Sequence, residues 1–179
     1  MSLTLRPFEL EDEEAAISAR RAFQQTPHGF LTLYEEGMPW PEYLAMLADH
    51  REGRNLPEGF TKYAMYAAVV GGELVGRAGV RFELNEKQAY QNGNVGYGVV
   101  EAHRRRGYAT EILRQSLIIL AKAGISPALV TCSDHNIGSA QVIENNGGRL
   151  ESIVPDEDGV LLRRYWVAIQ DPMPLGTGQ

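Results

Sequence analysis

The chain has 179 residues, with 17 basic and 23 acidic side chains and a formal net charge of −6. That length suits a single domain with material for a sizeable core. The acidic balance argues against a nucleic-acid binder, whose affinity is largely electrostatic, and mildly favours a cationic substrate such as an amine. No apolar run approaches the roughly 20 residues that a membrane helix requires. The N-terminus carries acids within its first dozen residues and lacks a basic-then-apolar signal pattern. Cys132 is the single cysteine, so no internal disulfide forms, and the expected compartment is the cytoplasm.

Leu3 to Phe8 reads as a short strand, at an edge because Pro7 cannot donate to a ladder. Asp12-Glu13-Glu14 opens a helix running to about Phe23, with acids at its positive end and Arg20 and Arg21 at the other. From Gln24 to Thr61 the chain is irregular apart from a helix predicted over Pro41 to Glu52, where Leu44, Leu47 and Ala48 share a face. The aromatics Phe30, Tyr34, Trp40 and Tyr43 either line a substrate pocket or anchor this lid to the core. Tyr63 to Val70 and Glu73 to Phe82 form a hairpin across Gly71-Gly72. In its second strand Leu74, Gly76, Ala78, Val80 and Phe82 point one way, and Val75, Arg77, Gly79 and Arg81 the other.

Asn92-Gly93-Asn94 marks a turn before a strand over Val95 to Val100. Gly96 and Gly98 strip one face of that strand, which implies close approach by a ligand, another backbone or a packed element. Ala109 to Ala123 is the best helix, with an apolar stripe of Ile112, Leu113, Ser116, Leu117 and Leu120 and Gly124 as its stop. Ala128 to Ser133 is continuously apolar, as a buried parallel neighbour would be. A short helix from Ser139 to Asn146 follows. Arg149 to Val154 and Leu161 to Ile169 close the sheet as an antiparallel pair. The whole is an α+β domain over residues 1–170 with a mixed, mostly antiparallel sheet, and a frayed tail from Asp171 to Gln179.

The chemistry concentrates where the strand over Val95 to Val100 runs through Arg104-Arg105-Arg106-Gly107-Tyr108-Ala109-Thr110 into the long helix. A helix N-terminus leaves N–H groups unpaired and carries partial positive charge, and Gly107 removes a Cβ from the approach to an anion. No G-x-x-x-x-G-K-[ST] or G-x-G-x-x-G pattern is present, so neither a P-loop nor a Rossmann site is indicated. The alternative is a solvated basic loop.

The order Arg104-x-x-Gly107-x-Ala109 after an apolar strand resembles the acetyl-CoA pyrophosphate loop of the Gcn5-related N-acetyltransferase (GNAT) family. Asn136-x-x-Ser139-Ala140, followed by Gly147-Gly148, resembles that family's downstream segment. The resemblance spans roughly Leu3 to Ile169. It implies a fold whose two central parallel strands splay around the cofactor, and acetyl transfer from acetyl-CoA to the primary amine of a small molecule, a protein N-terminus or a lysine. Pyrophosphate would lie on the N–H groups of Arg105, Arg106, Gly107, Ala109 and Thr110, with Arg104 adding charge. The pantetheine arm would pair with Val99 and Val100, one of whose N–H groups would polarise the thioester carbonyl.

Asn136 would offer an amide to the same arm, or else cap a helix. The family's general-acid tyrosine, seven residues beyond the Asn, is replaced by Ile143. Ser139 is then a candidate thiol donor, or a plain helix cap. Glu83, Tyr97 and Tyr165 are candidate bases, although a water chain to solvent would also serve. A non-catalytic acyl-CoA-binding module of the same fold is the alternative function, and the family's habit of pairing edges leaves a homodimer open. Asp134-His135 beside Cys132 makes no thiol dyad, because strand neighbours face opposite ways, and the four scattered histidines imply no metal.

Overall fold

The computed structural model describes residues 2–23 and 29–169; the expected frayed tail lies outside them. Four strands form one antiparallel sheet in the order β1 (Thr4–Pro7), β2 (Tyr63–Val70), β3 (Glu73–Arg81) and β4 (Val95–Val99). Three more, β5 (Ala128–Ser133), β6 (Arg149–Pro155) and β7 (Leu161–Val167), form a second in the order β5-β7-β6. Helices α1 (Glu13–Ala22) and α2 (Trp40–Arg51) precede β2, α3 (Tyr108–Lys122) joins β4 to β5, and α4 (Ile137–Asn145) follows β5.

The helices divide between the two faces of the first sheet. Tyr63, Met65, Ala67 and Val69 of β2 join Ala16, Ala19, Trp40, Tyr43 and Leu47 in one core layer. Ala68, Ala78 and Val99 meet Ile112 of α3 in another, and Val80 and Val95 meet Leu113, Leu117 and Leu120. The predicted stripe of α3 is its buried face in full. Phe30, Trp40 and Tyr43 are wholly buried, with Tyr34 edge-on to Tyr43 at 5.2 Å, so these aromatics anchor the α2 layer to the core.

Three features depart from the sequence reading. The alternation of β3 holds from Gly76 onward but reverses before it. A register shift opposite Ala68/Val69 puts Leu74 in the α1/α2 layer and Val75 under α3. A turn of π-helix over Gln88–Asn92 stands where no element was expected, closed by reciprocal bonds between the Asn85 and Gln88 side chains and backbones. The strands, expected as one mixed, mostly antiparallel sheet whose two central strands splay apart, form two sheets, and every ladder among the described residues is antiparallel. β5 pairs in a ladder with β7 and meets the first sheet through a bridge at Gly93↔Val130.

Asn94 causes the split. Its N–H donates to Leu129 O at 2.6 Å, and its carbonyl accepts from Arg81 N–H at 2.7 Å. Its side-chain Oδ1 accepts from Leu129 N–H at 2.8 Å, while Nδ2 donates to Arg81 O at 3.1 Å. The amide side chain thus takes the bond that the next ladder residue would make, and β4 and β5 separate beyond it. Gly93 permits the approach: at φ +68° it lies so close to β5 that a Cβ would stand 2.5 Å from Leu129 O. Asn94→Ala is expected to orphan Leu129 N–H and Arg81 C=O in a buried fork, at about 1–3 kcal/mol for each group. Urea unfolding checks this, and a loss below about 1 kcal/mol would rule out the clasp as a major support.

Candidate active site

The separation of β4 from β5 leaves one edge of β4 unused. Ladder hydrogen bonds in an antiparallel pair involve alternate residues. Arg81 N–H bonds Asn94 O, and Val100 N–H bonds Val75 O, so the even-numbered residues of β4 face β3. The main-chain N–H groups of Tyr97 and Val99 therefore point into the gap between the sheets, where a strand-like ligand could pair. The Val99 N–H faces that gap. The Val100 N–H does not, because it is committed to Val75 O at 2.9 Å, which removes it from the pairing expected. The Val99 carbonyl accepts from Arg104 Nε at 3.2 Å, and the Arg104 guanidinium lies 5.8 Å from the centre of the Phe23 ring.

At the mouth of the gap the chain coils tightly into α3. Arg105 has φ +60° and Gly107 φ +80°, with Arg106 between them at ordinary φ. Backbone alternating in this way curls its N–H groups inward as an anion cradle. The first bond into the helix is Glu111 N–H to Gly107 O at 3.2 Å, so the N–H groups of Tyr108, Ala109 and Thr110 precede the helical ladder. Gly107 is required by its left-handed φ, and a Cβ there would meet nothing within 4 Å. Open space fronts the cradle. The side chains of Arg105 and Arg106 are exposed and enter none of the ion pairs seen among the described residues.

Across the gap, Tyr97 of β4 meets Ser139 of α4. Their hydroxyl oxygens are 2.6 Å apart, and the phenol also lies 3.3 Å from Ser139 O. The helix cap is Asn136, whose Oδ1 accepts from Ser139 N–H at 3.1 Å, so α4 starts two residues earlier than expected. The Ser139 hydroxyl is thereby left for Tyr97, and the cap reading belongs to Asn136. Burial pushes the Tyr97 phenol well above the ordinary tyrosine value of about 10. It therefore holds its proton throughout the physiological range and can donate, so its place among the candidate bases is withdrawn.

Glu83 stands apart from this pair, whereas Tyr165 and Cys132 lie near enough to add to burial in raising the Tyr97 phenol. Glu83 is exposed just beyond β3, three residues past the one facing Val95, and its carbonyl accepts from Thr61 Oγ1 at 2.6 Å. Tyr165 is buried and donates to Glu144 Oε1 at 2.9 Å, which ties β7 to α4. Burial raises the Cys132 thiol, while Asp134 pairs with Arg163 Nε at 2.7 Å. Ile143, in the family's tyrosine position, is fully buried beneath the site.

Phe23 and Arg77 pack against part of the bare face of β4, whose Gly96 and Gly98 stay partly open to solvent. A Cβ on Gly98 would stand 3.0 Å from Phe23 Cε1, and one on Gly96 would stand 3.5 Å from Arg77 Nη1. Sequence reasoning assigned Arg77 only to a strand face; its Gly-rich surroundings were the available signal.

Comparison with known proteins bears on the fold and the family. No match is found among curated proteins. The chain shares 24% identity with Mycobacterium smegmatis RimJ, solved in complex with CoA-disulfide, over 93% of this chain and 81% of that one (TM-score 0.64). It shares 13% with yncA of Salmonella typhimurium, solved with its cofactor acetyl-CoA, over 99% and 100% of the two chains (TM-score 0.64). Against the spermidine/spermine N-acetyltransferase SpeG of Vibrio cholerae the identity is 14%, over 93% of each chain (TM-score 0.65). At these identities the likeness is one of fold. The family model described as acetyltransferase (GNAT) domain matches residues 2–149, and the chain belongs to the GNAT acetyltransferase family.

Proposed function

We propose that the protein transfers an acetyl group from acetyl-CoA to the primary amine of a small molecule, a protein N-terminus or a lysine by direct attack in a ternary complex, and that it does so in the cytoplasm. The observation that carries this reading is the unused edge of β4 opening beside the N–H cradle of α3. Both fit the bound group. Main-chain donors from Arg105 to Thr110 front open space for a pyrophosphate, and Val99 N–H faces the gap where a pantetheine amide or thioester carbonyl would lie.

Bound acetyl-CoA would supply the acetyl group and a thiolate leaving group. The chain would supply the rest. Val99 N–H, which faces the gap, would polarise a carbonyl there. The Tyr97–Ser139 pair holds a proton on a hydroxyl oxygen at the gap's wall, so Ser139 can donate outward while Tyr97 donates to Ser139. Among the described residues no carboxylate or histidine is hydrogen-bonded to this pair, so the amine would lose its proton to solvent. Among the described residues no hydrogen bond is seen from Asn136 Nδ2, which would be available to the pantetheine arm while Oδ1 caps α4.

Calorimetric titration with acetyl-CoA, beside 3′-dephospho-CoA, tests the cofactor site. Micromolar binding, about −8 kcal/mol, is the expected result. Gly107→Val is expected to weaken it at least about 100-fold, because a β-branched residue resists positive φ and would crowd the phosphate approach. Unchanged affinity in folded G107V protein would sink the assignment. Tyr97→Phe is expected to lower the kcat for amine-dependent thiol release by about 100-fold with acetyl-CoA affinity intact. Binding with no thiol release from any amine would favour the non-catalytic module instead.

A further inference from the structure

Arg77 is a buried cation that the described fold leaves without an anion. It is 7% exposed, and among the described residues its one hydrogen bond runs from Nη2 to Gly29 O at 2.8 Å. Its Nε is buried and unpartnered. A guanidinium has five N–H donors, and desolvating one without an anionic partner is costly. Burial pushes its pKa down to about 10, so it remains charged at neutral pH. Arg81, four residues along the strand on the same face, adds a second cation; its Nη1 donates to Gly93 O at 3.2 Å. Neither arginine forms an ion pair with a carboxylate among the described residues, and positions 24–28, beside Gly29, carry no acid in sequence. The nearby Tyr43 phenol is pushed far upward by burial and stays neutral.

Beneath the guanidinium lies a floor without side chains. Gly98 is opposite Arg77 in the ladder and Gly96 is opposite Gly79, so all three glycines share the face of Arg77. A Cβ on Gly96 or Gly79 would stand 3.5 or 3.7 Å from Nη1. The three glycines are each partly open to solvent. They adjoin Tyr97 and Val99, whose N–H groups face the gap, but lie on the α1/α2 side of the sheet, opposite α3.

We propose that this floor holds a small amine that also carries a carboxylate, an amino acid or a close relative, with the carboxylate paired to Arg77 and the amine directed toward the edge of β4. This narrows the acceptor class and rests on the acetyl-transfer reading above. A buried guanidinium selects against a neutral isostere, because the amide leaves the cation without its counter-charge. The overall negative charge would attract the ammonium, while the local cations fix the other end.

The test is calorimetric titration of CoA-saturated protein with the L-amino acids, each beside its primary amide. In the wild type at least one acid is expected to bind ten times or more tighter than its amide. Arg77→Met is expected to erase that advantage while CoA affinity is unchanged, and Arg77→Lys to restore part of it. If no acid outbinds its amide in the wild type, or if the preference survives in R77M, the proposal is overturned. The first of these outcomes needs no variant to fold. An acid that binds selectively but releases no thiol from acetyl-CoA would support the Arg77 pocket and count against the transferase reading, which separates the two.

Discussion

The site depends on one constraint: β4 and β5 approach closely enough to share a core but are stopped from forming a ladder. Asn94 meets it by using both backbone groups and both side-chain amide atoms at the fork. A paired edge would consume the N–H groups of Tyr97 and Val99, and an edge with no fixed fork would leave the gap without a defined width. Thr131 reinforces the junction, donating from Oγ1 to Gln91 O at 2.9 Å and Asn92 O at 3.2 Å. Buried polar groups satisfied in this way are costly to rearrange, which favours a gap with one geometry.

Glycine then sorts what approaches each side of the sheet. Gly76 admits α3, since a Cβ there would stand 2.5 Å from Gly98 O and 3.1 Å from Ile112 Cδ1. Gly96 and Gly98 admit Arg77 and Phe23 on the opposite face. At Gly148 a Cβ would stand 2.5 Å from Ile143 Cγ2, so the turn after α4 closes directly over the residue that occupies the family's tyrosine position. Ile143 is sealed into the core by that contact. A hydroxyl on the inner face of α4 is instead found one turn earlier, at Ser139, where β4 brings a phenol to meet it.

Much of this was legible in the sequence because it rests on local pattern. The stripe of α3, the Gly-Gly hairpin and the limits of β5 follow from periodicity and turn chemistry, and the tight turn into α3 from a glycine at a helix start. What was illegible depends on long-range pairing. Asn94 reads as a turn residue until Leu129 is beside it, 35 positions away. Val100 looks equivalent to Val99 until the register assigns its N–H to β3. The Leu74/Val75 reversal follows from an irregularity on a neighbouring strand, which no alternation within β3 records. Asn136 and Ser139 both suit a helix start, and only the reach of Tyr97 across the gap decides which caps and which is left over.

Charge gives the same arrangement a direction. The chain is acidic overall, yet two positive zones flank β4: the cradle of α3 at one end and the buried pair Arg77 and Arg81 on the α1/α2 face. Between them the Tyr97–Ser139 hydroxyls are neutral. A cofactor carrying phosphates would meet the first positive zone, and an anionic group on the second substrate would meet the other. The two anions would thus be held on opposite sides of one strand, with their mutual repulsion screened by the cations flanking it. Because Val99 N–H lies at the edge of that strand, the reacting carbonyl and the amine would converge where neither anion needs to be. A ternary complex built this way requires no domain movement to bring its parts together, only the gap that Asn94 keeps open.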